Sequence, residues 1–157
     1  MHIDVQTTGP IPETVERLLR ELPAWFGIEA ALQDYVTSAR HLPTFAARLD
    51  DTIVGVCLVK PHGAHAAEIC LLAVTPDLHR RGIGRALLEA VEQQATKDGR
   101  ELLQVKTLGT THPSPEYAAT RRFYDALGYR HLEEFPAGTV WPDNPCLIMA
   151  KPITSNG

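Results

Sequence analysis

The chain has 157 residues, 44% hydrophobic and 22% charged, enough for one globular domain with a core of its own. A net charge of −4 excludes a global basic field that would draw it to nucleic acid or anionic lipid. No apolar run approaches the roughly 20 residues that span a bilayer, and "MHIDVQTTGP" lacks the basic and apolar regions of a secretory leader. A cytoplasmic protein, one domain over residues 1–157, is the expectation. Cys57, Cys70 and Cys146 stand far apart in apolar runs, which predicts buried thiols in a reducing compartment rather than a zinc or CxxC site.

In chain order, "HIDVQT" reads as a strand. "IPETVERLLREL" places Val15, Leu18, Leu19 and Leu22 at helical spacing, and Pro23 stops it; "IEAALQDYVTSAR" reads as a second helix. "TFAARLDDTIVGVCLVKPHG" is two strands about an Asp-Asp turn, a hairpin. "HAAEICLLAVT" is a further strand, ended by Pro76. Ile83, Leu87, Val91 and Ala95 recur at fours on one helix face, and Gly99 terminates that helix. After the strand "ELLQVKTL", Ser114 and Pro115 open a helix that closes on Gly128. "YRHLEEF" and "CLIMAKPI" are the last strands, joined by "PAGTVWPDNP". The pattern predicts an α/β fold: a mixed central sheet of six to seven strands with helices on both faces.

The stretch "TPDLHRRGIGRALL" gathers two glycines and three arginines at a helix start. Helix-terminal N–H groups lack intrahelical partners and carry the positive end of the macrodipole, so such a start favours an anion. Glycines also let a ligand approach the main chain. A dinucleotide fingerprint needs a third glycine where Leu87 stands, and its glycines follow the strand directly; a P-loop would need G-x-x-x-x-G-K-[ST]. Neither pattern is met.

"AEICLLAVTPDLHRRGIGRALLEAV" resembles the acetyl-CoA-binding core of the GNAT superfamily of N-acetyltransferases. Its [Q/R]-x-x-G-x-[G/A] signature falls on His79, Arg80, Arg81, Gly82, Ile83 and Gly84, with His79 in place of Gln or Arg. "AATRRFYDALGY" resembles the family's A-x-x-F-Y-x-x-x-G-[FY] junction, with Thr120 at the usual alanine and Tyr117 in place of a frequent, cofactor-contacting asparagine. The resemblance implies the GNAT fold, with two strands splayed apart at the acetyl-CoA site. It places the pyrophosphate of coenzyme A on main chain from Arg80 to Arg85 and Ala86. The pantetheine arm would pair with the main chain of Leu72, Ala73 and Val74.

A protonated alkylamine must lose a proton before it attacks a thioester, and the leaving thiolate needs a proton or electrostatic support. Glu68 is the one carboxylate in its apolar strand, and partial burial predicts a raised pKa suited to a base. "AEICLLAV" resembles the strand that carries the base glutamate in histone acetyltransferases of the superfamily. The resemblance makes Tyr124 the general acid toward the sulfur, and the Val74 N–H is the expected donor to the thioester carbonyl. Phe123, next to Tyr124, is expected to face the core with Leu127. His62 and His65 read as loop histidines, so no metal is expected.

The acceptor side implied by the family falls on "LPAWFGIE" and "PAGTVWPDNP". Trp25, Phe26 and Trp141 are candidate aromatic walls, and His112 is a candidate cleft residue. Glu29, Asp34, Glu133, Glu134 and Asp143 are available to a cation. The expected partner is a small, positively charged primary amine, with no nucleic acid or membrane involved; homodimers are common in the superfamily. The alternatives are a protein lysine or N-terminal amine as acceptor, and a non-catalytic acyl-CoA-binding sensor.

Overall fold

The computed structural model describes residues 2–153. Strand β1 (Ile3–Thr8) leads into α1 (Pro12–Arg20), α2 (Pro23–Phe26) and α3 (Glu29–Ser38). Strands β2 (Thr44–Leu49), β3 (Thr52–His62) and β4 (Ala66–Val74) follow, then α4 (Ile83–Lys97), β5 (Leu102–Leu108) and α5 (Pro115–Ala126). Strands β6 (Arg130–Phe135) and β7 (Cys146–Pro152) complete one seven-stranded sheet of order β1-β2-β3-β4-β5-β7-β6. Every pairing is antiparallel except β4 with β5. The mixed sheet and the hairpin about Asp50, whose φ is 55°, agree with the sequence reading. Proline accounts for two short unforeseen elements: the first helix ends at Arg20, and Pro23 supplies the pre-set φ that opens the short α2, as Pro76 does for a 3-10 turn over Pro76–Leu78.

Helices cover both faces. One face buries Val15, Leu18 and Leu19 of α1 and Leu32 and Val36 of α3 against β2, β3 and β4. The other buries Ile83, Leu87, Val91 and Ala95 of α4, together with Tyr124 of α5. Each such aliphatic side chain contributes about 1.5–3 kcal/mol when fully buried, so these stripes hold the helices to the sheet. Gly99 and Gly128 take φ of +81° and +95°, the left-handed conformation that ends α4 and α5.

The feature that positions the site is a split in the sheet. Parallel pairing of β4 with β5 runs only from Ala66–Leu102 to Ile69–Val105. In β4, Leu71 pairs with Leu58 and Ile69 with Val59, which leaves Cys70 as an extra residue, a β-bulge. Its effect on side-chain direction is visible in the packing. Ile69 joins the α4 face, whereas Cys70 and Leu71 both turn to the α1–α3 face. Beyond the bulge, β4 pairs only with β3, and β5 past Val105 pairs only with β7.

Candidate active site in the split between β4 and β5

The split opens a cleft of about 870 Å³, inside the size range of small-molecule sites. Thr75 N–H donates to Val54 O at 2.8 Å, toward β3. Strand alternation therefore turns the N–H and C=O of Val74, and of Leu72 before it, toward the split, where β5 offers no partner. Leu72, Ala73 and Val74 all line the cleft.

At the cleft's far end stands the N-terminus of α4. Gly82 is its N-cap with φ +82°, and Arg80 also adopts a left-handed φ of 63°. Among the described residues no side chain caps this helix and its first turn holds no acid, whereas Ser114 Oγ caps α5 by accepting from the Tyr117 N–H at 3.3 Å. The first amides of α4 thus remain available to an anion, with Arg80 and Arg85 lining the cleft beside them. Gly82, Ile83 and Gly84 line it as well, while Arg81 and Ala86 do not.

The two glycines are needed for different reasons. A Cβ on Gly82 would meet nothing within 4 Å, so its requirement is the left-handed backbone. A Cβ on Gly84 would stand 3.1 Å from Phe123 Cζ, so this glycine lets α4 approach α5. That contact corrects the expectation that the second glycine makes room for the ligand. Phe123 packs against the core together with Leu127, as expected, and in addition lines the cleft and packs on Gly84.

His79 has a defined task. Its Nε2–H donates to Val74 O at 2.8 Å, tying the loop back onto the end of β4. Its ring meets that of Trp25 edge-on, with centroids 5.6 Å apart. Trp25 in turn donates from Nε1 to Thr120 Oγ1 at 3.2 Å, and the Tyr117 hydroxyl donates to Trp25 O at 2.8 Å. Short α2 is thereby clamped across the cleft onto α5. Trp25 and Phe26 line the cleft as expected, and Tyr117 lines it with its hydroxyl spent on the clamp. His112 and Trp141 do not line it; His112 Nδ1 accepts from the Ser114 N–H at 3.2 Å in the turn before α5.

Tyr124 is 4% exposed and lines the cleft; its hydroxyl has no hydrogen-bond partner among the described residues. Burial raises its pKa, so the phenol keeps its proton at all physiological pH values. Glu68 is 8% exposed and stands beside the cleft rather than in its lining. Its Oε1 accepts from His62 Nε2–H at 2.7 Å and Gln104 Nε2–H at 3.2 Å, and lies 3.5 Å from Lys106 Nζ. Burial is the largest single influence and pushes its pKa up. The His62 and Gln104 hydrogen bonds and the Lys106 charge together outweigh it, and the net shift is downward. The raised pKa expected from burial alone is therefore corrected: two hydrogen bonds and the Lys106 charge hold Glu68 ionised.

The acids expected around the acceptor are also placed differently. Glu29 pairs with Arg20 at 2.8 Å, which takes its pKa down to about 2. Glu134 accepts from the N–H and hydroxyl of Thr110. Neither lines the cleft, nor do Asp34, Glu133 and Asp143. The sequence reading passed over Tyr35, Lys106 and Cys70, all lining residues. Their only signal was position: Tyr35 lies on the sheet side of α3, and Lys106 and Cys70 lie just past the last β4–β5 pair. Cys57 and Cys146 are buried as expected; Cys70 is only partly so, and burial followed by the Glu68 charge pushes its thiol up to about 11.

Residues 40–131 match the family model described as an acetyltransferase (GNAT) domain. An uncharacterized N-acetyltransferase of Chlorobaculum tepidum is 28% identical over 100 residues, spanning 63% of this chain and 57% of that protein's length. An IAA acetyltransferase of Azospirillum brasilense is 27% identical over 97% of this chain and 99% of its own. A GNAT acetyltransferase of Elizabethkingia anophelis, solved with acetyl-CoA bound, superposes with a TM-score of 0.72 at 19% identity, covering 96% of this chain and 97% of that one. With a matching family model over more than half its length and the matching fold, the chain belongs to the GNAT superfamily of N-acetyltransferases.

Proposed function

We propose that the protein transfers the acetyl group of acetyl-CoA to the primary amine of a small molecule, by direct attack in the split between β4 and β5. The observation that carries this reading is the combination of Leu72 main chain and the Val74 N–H, left without a partner on β5, with an uncapped α4 N-terminus at the other end of one cleft. The residues fit the cofactor: amides and arginines for a pyrophosphate, a strand edge for an amide-bearing arm. Acetyl-CoA supplies an activated thioester.

The remaining work falls to this chain's side chains. Val74 N–H polarises the thioester carbonyl. The amine nitrogen forms the new C–N bond as the C–S bond breaks. Its proton leaves toward Glu68 through water, and because Glu68 stays ionised it passes that proton on to solvent. Tyr124 donates its hydroxyl hydrogen to the departing sulfur and regains a proton from solvent. The thiol of Cys70, pushed up to about 11, stays protonated and is a poor nucleophile, which favours direct attack over an acetyl-cysteine.

Glu68's place outside the cleft lining favours a second reading, a non-catalytic acyl-CoA-binding module. Free-thiol release from acetyl-CoA, measured over a panel of amines, separates the two. Catalysis predicts amine-dependent release that Glu68→Gln and Tyr124→Phe each depress by about 10²-fold or more while acetyl-CoA still binds. Binding of acetyl-CoA without release for any amine supports the sensor.

A further inference from the structure

The acceptor end of the cleft carries a cation with nothing to neutralise it fully. Lys106 stands one residue past Val105, the last β5 residue paired with β4, and lines the cleft with about a third of its side chain exposed. Among the described residues its one ionic contact is Glu68 Oε1, at 3.5 Å. An ammonium group has three donors, so Lys106 retains binding capacity. The groups around it are Glu68 and Cys70 from β4, Gln104 from its own strand and Lys60 opposite Glu68 on β3. Tyr35 of α3 and Glu116 of α5 line the same cleft.

The cleft as a whole is cationic. Its charged lining is Arg80, Arg85, Arg122 and Lys106 against the single carboxylate Glu116, which already accepts from the Ser114 hydroxyl at 3.1 Å. Arg80 and Arg85 flank the α4 N-terminus, and Arg122 adjoins Phe123, which packs on Gly84 at that same end. Lys106 is thus the cation left for the acceptor. Beside it, Glu68 has Oε1 occupied by two donors and the Lys106 ion pair, while Oε2 has no partner and is not sealed off among the described residues.

We infer that the acceptor carries an anionic group next to its amine, and that its chemical class is the free α-amino acid. The carboxylate binds Lys106, and the ammonium is directed to Glu68 Oε2. One carbon separates the two charges of an α-amino acid, matching a Lys–Glu pair in contact. A polyamine would instead bring a second positive charge toward Lys106, while the lining's carboxylate, Glu116, stands on α5 rather than beside it. Acetylation converts the ammonium into a neutral amide: the nitrogen gives up two protons by way of Glu68 as the C–N bond forms and the C–S bond breaks, Tyr124 gives its proton to the sulfur and recovers one from solvent, and one proton is released net. The product keeps its carboxylate but has lost the charge that Glu68 holds, which favours release.

This inference rests on the acetyl-transfer reading, and the experiment separates their failures. Free-thiol release from acetyl-CoA is measured with the twenty amino acids, their carboxamides, spermidine and a short peptide amine, alongside calorimetric binding of acetyl-CoA. At least one amino acid should exceed its carboxamide in kcat/KM by about tenfold or more, the worth of a charge-assisted contact. Lys106→Met should collapse that acid-to-amide ratio toward one, and Lys106→Arg should preserve most of it. Preference for carboxamides, spermidine or the peptide overturns the inference alone, as does a ratio unmoved by Lys106→Met. Acetyl-CoA binding with no turnover of any amino acid also overturns it. Failure to bind acetyl-CoA at all removes the underlying reading.

Discussion

The imidazole of His79 holds the carbonyl oxygen of Val74 at 2.8 Å, which ties the anion-binding loop to the strand whose main chain lines the cleft. The position that departs from the family signature therefore carries a structural hydrogen bond, one that couples both ends of the candidate cofactor site. His79→Ala should free the loop and weaken acetyl-CoA binding by roughly fivefold, the worth of about 1 kcal/mol, measured by calorimetry. His79→Gln, which keeps a donor at similar reach, should recover most of that affinity. Unchanged affinity in the alanine variant would dissociate the loop's anchoring from binding.

Gly84 and Phe123 predict a coupled pair. Gly84→Val forces a side chain into the ring of Phe123, 3.1 Å from where its Cβ would sit, and overpacking of this kind costs about 1–3 kcal/mol. Phe123→Leu in the same chain should restore part of the loss. A double-mutant cycle by urea denaturation should give a coupling energy of at least about 0.5 kcal/mol. Strict additivity would mean that the helices do not meet there.

The Trp25 clamp predicts a selective loss. Tyr117→Phe removes the bond to Trp25 O and Thr120→Val the one to Trp25 Nε1. At about 0.5–1.5 kcal/mol each, the pair should lower stability modestly, and hydrogen exchange should quicken in α2 while α4 stays protected. Equal exchange in both helices would contradict a local clamp.

Glu68 makes a signed prediction about pH. Its folded pKa lies below the ordinary 4.5, so its contribution to stability is present above that value and is lost as pH falls through the lower folded value. Wild type minus Glu68→Gln stability, from urea melts between pH 7 and pH 3, should therefore be flat at neutral pH and shrink below about pH 4.5. A difference that grows on acidification would reverse the assigned shift.

The fold was largely legible because period and punctuation agree: Ile83, Leu87, Val91 and Ala95 mark one helix face, and Gly99 and Gly128 end helices where left-handed backbone is required. The cleft was legible at Leu72, Val74, Gly82 and Tyr124, where motif and strand order coincide. What escaped depends on long-range contacts. Glu68 looks like a base with a raised pKa until His62 and Gln104, from two other strands, are placed beside it. Lys106 is an ordinary strand lysine until the Cys70 bulge ends the β4–β5 pairing just before it. Trp141 and His112 lie in loops whose path no periodicity encodes, and both fall outside the cleft lining.

The central claim, that the split between β4 and β5 receives acetyl-CoA, is tested most directly by thermal unfolding with acetyl-CoA and with NAD(H). At about 100 times its dissociation constant, a ligand bound only to the folded state adds about 2.7 kcal/mol. For a domain of this size that raises Tm by roughly 5–10 °C. Acetyl-CoA should produce that shift and NAD(H) none. A shift with NAD(H) alone, or none with acetyl-CoA, would contradict the account.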